Sequence, residues 1–173
     1  MDPEIIFEEV QGAGNKGTGS LFKLITAVLL ASFIIQLLLH RNRTELLLLL
    51  LTGGIVSGII SVFLSTRMIT QIRKDSIHVR FPPFRPSFAK YQWNSISKVY
   101  LRQYDPVTEF GGWGIRFGPG GKAINMSGNI GLQLIFNDGS RLLIGTNQPE
   151  KIAEALISIG KLDHDQTNYD RYS

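Results

Sequence analysis

The chain offers few side chains whose types and spacing suit catalysis or metal binding. It has three histidines and no cysteine. His40, His78 and His164 fall in a loop, a predicted strand and a polar tail, so we expect no metal site. Asp105 and Glu109 flank a proline turn, where exposed acids are common, and the sequence has no Gly-x-Ser-x-Gly nucleophile elbow. We therefore expect no enzymatic activity and no cofactor.

Two glycine-rich stretches resemble nucleotide-binding motifs but lack their context. GAGNKG at 12–17 matches the dinucleotide fingerprint, yet it precedes an apolar segment and lies outside any βαβ unit. The Gly121-Lys122 pair fails as a phosphate loop because Arg116 replaces the first glycine and Ala123 replaces the Ser or Thr. We interpret the first stretch as a linker and the second as a hairpin turn.

The dominant pattern is a pair of apolar runs, 21–39 and 46–64, separated only by HRNRTE. At about 1.5 Å rise per residue, each run is long enough to cross the ~30 Å hydrocarbon layer. The run LLLLLL at 46–51 leaves no polar stripe, which favours a membrane span over a buried hairpin of a soluble core. The acidic leader argues against a cleaved signal peptide. The sequence therefore predicts a transmembrane helical hairpin at 21–64, with the lipid bilayer as a partner.

Basic residues near the hairpin predict its orientation. The connecting loop contains two, Arg41 and Arg43, whereas the side of the two termini contains more. Those on the terminal side are Lys16, Lys23, Arg67, Arg73 and Lys74. The sequence thus predicts a multi-pass protein of the inner (plasma) membrane with both termini in the cytoplasm.

The soluble part follows the hairpin. From 67 onward, apolar residues alternate in short segments separated by turn residues, which indicates about seven strands. Asn147-Gln148-Pro149-Glu150 then predicts the start of an amphipathic helix that Gly160 ends. We expect one β domain at 67–161 with a C-terminal helix, and a disordered tail at 162–173.

Residues 1–20 form an N-terminal arm and linker. Its segment 4–10, EIIFEEV, mixes apolar and acidic residues. Two interpretations remain open for this segment: an added strand on an open sheet edge, or a disordered leader.

Several longer strings carry a family resemblance. They are YDPVTEFGGWGIR at 104–116, NMSGNIGLQL at 125–134, LIGTNQPEKI at 143–152 and FEEVQ at 7–11. Together with the two spans, they resemble an uncharacterised family of bacterial two-span membrane proteins with a pleckstrin-homology-like domain. The resemblance implies a membrane α-helical hairpin plus an α+β domain, a partly open β-barrel capped by a C-terminal helix. It implies no reaction.

Two functions follow as expectations. The first is a non-enzymatic membrane-anchored scaffold whose cytoplasmic domain binds protein partners, or its own copies, at the membrane surface. The alternative is recognition of anionic lipid headgroups by Arg73, Lys74 and Arg80 in the basic half of the domain, where ten Lys or Arg face three Asp or Glu between 67 and 122. Neither function involves a nucleic-acid partner.

Trp113 and Arg116 complete the candidate interaction residues. Strand alternation places Trp113 on the same face as Ile115 and Arg116 on the other. We therefore expect Trp113 to be a core anchor, and Arg116 to face solvent or to bond a nearby turn carbonyl.

Overall fold

The computed structural model describes residues 4–12, 18–39 and 43–163. Contacts divide them into two compact units. The sheet unit comprises the described residues up to Gln11 and from Arg67 onward, and the helical unit lies between Gly12 and Thr66. His40, His164 and Arg41, together with Lys16 in the linker, lie outside the described residues.

The helical unit contains α1 (Thr18–Leu39) and α2 (Arg43–Ser65). Within α2, the 19 residues Leu47–Ser65 are long and apolar enough to cross a membrane, and Thr26–Leu39 of α1 is a shorter apolar segment. Large apolar side chains of both helices face outward, including Leu38 at 78% and Ile59 at 65% exposure. Exposed apolar side chains in this number are unfavourable in water.

The sheet unit holds two sheets. The strands of the first, in spatial order, are β1 (Ile5–Gly12), β2 (Arg67–Arg73), β3 (Ser76–Phe81) and β4 (Arg85–Gln92). A 3₁₀ turn, Trp93–Ser95, leads into the second sheet, and the helix α3 (Pro106–Phe110) follows its first strand. The strands of the second, in spatial order, are β5 (Ile96–Gln103), β8 (Ile130–Phe136), β9 (Arg141–Gly145), β7 (Gly121–Asn125) and β6 (Gly114–Gly118).

The predicted α+β class is confirmed, and the strands form two sheets that do not close into a barrel. In the second sheet, β9 pairs in parallel with β7, and Ile124 lies beside Ile144. The other recorded pairings are antiparallel. The alternation of apolar and polar residues predicts strands and their faces, but it does not indicate which strands pair. The pairing of β7 with β9 could therefore not be predicted from the sequence.

One core joins both sheets and the helix α4 (Pro149–Ser158). Ile152 and Leu156 of α4 are fully buried, which agrees with the predicted amphipathic helix. Leu162 is also buried, at 4% exposure. The predicted disordered tail is therefore wrong at its first residue, because this leucine contributes to the core; the tail from 164 lies outside the described residues.

The N-terminal segment is a strand. β1 pairs with β2 at the edge of the first sheet, and it directs Phe7, Glu9 and Gln11 inward. Of the two interpretations of 4–10, the added strand is confirmed.

Candidate functional site

The surface around β6 gathers the exposed aromatic and basic groups that the sequence singled out. Gly111, Gly112 and Gly114 all adopt positive φ, at 71°, 116° and 116°. Only glycine adopts these angles without strain. The chain therefore turns sharply on both sides of Trp113, and β6 begins one residue after it.

Trp113 is not a core anchor, so the expectation of a buried tryptophan is wrong. Its side chain is 40% exposed, and the indole Nε1 donates to the Gly128 carbonyl at 3.2 Å. Strand alternation does not apply to Trp113, because it precedes the strand and the flanking glycines reset its direction. The hydrogen bond fixes the orientation of a ring that remains accessible.

Arg116 matches its prediction. It is exposed, and its Nε donates to the Trp113 carbonyl at 3.0 Å. This bond ties the guanidinium to the turn that carries the tryptophan. An accessible indole and an accessible cation are thereby fixed on neighbouring positions of one segment.

The acids that precede β6 are structural. Asp105 caps α3 by accepting from the Val107 and Thr108 N–H groups at 2.9 and 3.2 Å, and these bonds lower the pKa of its carboxyl. Glu109 accepts from Arg102, with 2.8 Å between Nη2 and Oε2. Burial alone would raise the pKa of Glu109, but the bonds from Arg102 and from the Asp105 N–H lower it overall. Neither acid is arranged for proton transfer.

β6 is also the outer strand of the second sheet, with β7 on one side. Within the described residues, no strand pairs with its other side. An open strand edge presents backbone donors and acceptors to an added strand. Together with Trp113 and Arg116, this edge is suited to binding an extended polypeptide that carries an acidic side chain.

The structure does not assemble the other predicted cations into one site. Lys74 lies at the β2–β3 turn and contacts Glu4 at 3.2 Å, and Arg73 donates to Gln71 at 3.0 Å. Arg80 lies opposite Ile69 toward the far end of the hairpin, and its guanidinium stacks over Phe88 at 4.6 Å. The structure thus places Arg80 apart from Arg73 and Lys74, and headgroup recognition by these residues stays a prediction.

Sequence reasoning missed a polar network that fastens β1. Glu9 is 2% exposed and accepts from the Thr146 hydroxyl at 2.6 Å and from the Asn147 N–H at 2.8 Å. Gln11 donates to the Gly145 carbonyl at 2.8 Å. Two of the strings that carry the family resemblance, FEEVQ and LIGTNQPEKI, contact each other in this network. Their joint occurrence in the sequence was the feature that could have indicated this contact.

Among residues 4–12, 18–39 and 43–163, no group of His, Asp and Glu side chains is arranged to bind a metal ion. The main features of the sheet unit are its two sheets and the open edge of β6, and the main feature of the helical unit is its exposed apolar side chains. The chain belongs to the family of unknown function DUF6141, whose model matches residues 4–161. No curated protein and no solved structure shows significant similarity to it.

Proposed function

We propose that this protein is a non-enzymatic scaffold anchored in the inner membrane by a two-helix hairpin, with an interaction domain at the membrane surface. The observation that carries the anchoring is the apolar length of α2, and the pairing of β1 with β2 in one sheet limits the number of crossings. Both strands must lie on the same side of any membrane. The segment between them, which contains α1 and α2, therefore crosses the membrane an even number of times.

An even number of crossings means that α1 and α2 either both span the membrane or both do not. α2 contains a stretch long and apolar enough to cross a membrane. If α2 spans, α1 must also span, because a single crossing would separate β1 from β2. The 22 residues of α1 cover about 33 Å at 1.5 Å each, which suffices for the hydrocarbon layer. The flanking cations favour the cytoplasm for the sheet unit.

The interaction surface in this proposal is the β6 edge with Trp113 and Arg116. Tryptophan and arginine are enriched among residues that dominate interface energies. Both are held in place by backbone hydrogen bonds, which reduces the entropy lost on binding. The partner is a second protein or a second copy of this chain. The pleckstrin-homology-like relationship of the two-sheet domain is part of the same proposal.

The test compares Trp113→Ala and Arg116→Ala in the full chain, purified in detergent after crosslinking. We expect both variants to unfold within about 1 kcal/mol of the parent, because each loses one exposed hydrogen bond, and to lose the crosslinked neighbour. Val10→Ala, which shortens an apolar side chain that is 45% exposed in the other sheet, is the control and should retain the neighbour. Retention in both β6 variants, or equal loss in the control, would contradict the assignment.

A further inference from the structure

Two phenylalanines at hairpin ends are strongly exposed. Phe84 lies in the turn between β3 and β4 and is 67% exposed; Phe117, near the end of β6, is 77% exposed. They have the highest exposure among the large apolar side chains described in the sheet unit. Single exposed apolar residues are ordinary, so their significance depends on whether they share a surface.

Both rings adjoin residues of the same core cluster. Phe117 pairs with Lys122, and Lys122 lies beside Leu142, so these three positions share one face of the second sheet. Leu142 belongs to the core cluster that also contains Phe81 of the first sheet. The ring of Phe81 contacts that of Phe84, with 6.5 Å between centroids.

Basic residues accompany both rings. Arg85 follows Phe84 in the chain, and the Lys122 Nζ lies 6.0 Å from the Phe117 ring. Burial lowers the pKa of the Lys122 ammonium, and the positive charge of the nearby Arg85 lowers it further, so cations of the two hairpins are close. The backbone of Glu109 adjoins this hairpin at Gly118, but the Glu109 carboxylate is occupied by Arg102.

The Phe84 turn lies beside the start of β2, the first strand after α2 in the chain. The N–H of Arg67, the first residue of β2, donates to the Pro82 carbonyl at 3.0 Å, two residues before Phe84. Only Thr66 separates Arg67 from Ser65, the last residue of α2. Two residues of chain span at most about 7 Å. A membrane that contains α2 is therefore close to Pro82.

We propose that Phe84, Arg85, Phe117 and Lys122 form a docking surface for the anionic lipid leaflet that α2 enters. The two rings insert at the boundary between headgroups and acyl chains, and the two cations contact lipid phosphates. This surface is distinct from the Arg73 and Lys74 region, which lies at the opposite end of β2. The inference rests on the proposed anchoring of the helices in the membrane.

Because the chain contains no cysteine, single cysteines report on single positions. Phe84→Cys, Phe117→Cys and, as the matched control, Lys74→Cys are labelled with an environment-sensitive fluorophore in the full chain. Each protein is reconstituted in vesicles of phosphatidylcholine with phosphatidylglycerol, with and without brominated lipid. We expect a blue shift and bromine quenching at 84 and 117, and neither at 74. The double variant R85E/K122E, in the Phe117→Cys background, should abolish both effects.

Flotation of the vesicles tests the membrane anchoring separately from the docking surface. If the protein fails to float with the vesicles, the membrane anchoring is wrong and the docking surface falls with it. If it floats but the probes at 84 and 117 are as unquenched as the probe at 74, the anchoring stands and the docking surface is wrong. Quenching that is equal in vesicles of phosphatidylcholine alone, or that survives R85E/K122E, overturns the requirement for anionic lipid.

Discussion

Glu9 is a buried carboxylate whose two oxygens are both engaged, one by the Thr146 hydroxyl and one by the Asn147 N–H. Glu9→Ala leaves both donors without this acceptor, so we expect unfolding to become easier by about 1–3 kcal/mol. Urea unfolding of the full chain in detergent measures this. Glu4→Ala is the control: it removes an acid whose side chain is 74% exposed, and it should cost less than about 0.5 kcal/mol. Equal effects would show that the network contributes nothing specific.

Tyr104 is the opposite case, a buried hydroxyl that makes no hydrogen bond of standard geometry among the described residues, although it interacts with the Asn125 side chain. Burial raises its pKa to about 12, outweighing the lowering effects of the Asn125 side chain and of the Arg102 charge. The folded chain therefore keeps the phenol protonated where the unfolded chain ionises it. The contribution of Tyr104 to stability is complete below pH 10, the ordinary value, and is lost as pH rises toward about 12.

We accordingly expect Tyr104→Phe to leave the unfolding free energy at neutral pH unchanged or to raise it by up to about 1 kcal/mol. Above pH 10 the variant should lose stability less steeply than the parent, since one ionising group is gone. Unfolding midpoints measured from pH 7 upward in both proteins give the comparison. A variant that is destabilised at neutral pH would reveal a hydrogen bond to the hydroxyl.

At the scale of single residues, alternation predicted the direction of the Arg116 side chain inside a strand, but it failed for Trp113, which is flanked by glycines. It oriented Arg116 correctly because that residue lies within β6. It failed for Trp113, whose neighbours Gly111, Gly112 and Gly114 take backbone angles that no pattern of apolar residues reveals. The acidic spacing of Asp105 and Glu109 likewise did not indicate that one caps α3 and the other binds Arg102.

Among the secondary-structure elements, α1 and α2 approach each other closely at Gly53, a glycine of the described part of α2. A side chain on Gly53 would overlap the Phe33 ring, whereas Gly54 has open space around its Cβ position. We expect Gly53→Leu to cost about 1–3 kcal/mol through overpacking and Gly54→Leu to cost much less. Loss of helical circular dichroism in an SDS titration measures both. Similar midpoints for the two variants would contradict the described packing of α1 against α2.

Elements with local signals were predicted well. The cap and the apolar face of α4 depend on residues a few positions apart, and β2, β3 and β4 follow from alternation. Their arrangement was not predictable, because β1 reaches β2 across the whole helical segment and β9 lies between β8 and β7. Such pairings arise from tertiary packing between residues far apart in the chain.

For the whole molecule, the shared sheet of β1 and β2 makes a topological prediction. Glu4 and Lys74 contact each other at 3.2 Å with largely exposed side chains, and they lie on opposite sides of the helical segment in sequence. A cysteine at either position must therefore be accessible from the same side of the membrane. The exposed ion pair that each substitution removes contributes little, so the fold should persist.

Three single-cysteine variants are treated with a membrane-impermeant maleimide, before and after lysis of expressing cells. They are Glu4→Cys, Lys74→Cys and Asn42→Cys, which lies between α1 and α2 in sequence. We expect Asn42→Cys to react in intact cells, and the other two to react only after lysis, because the flanking cations favour the cytoplasm for the termini in the proposed topology. Labelling of all three in intact cells, or of none, would mean that the helices do not form a spanning hairpin. Labelling of only Glu4→Cys and Lys74→Cys in intact cells would preserve the hairpin and reverse its orientation. Opposite behaviour of Glu4→Cys and Lys74→Cys would be incompatible with β1 and β2 sharing a sheet.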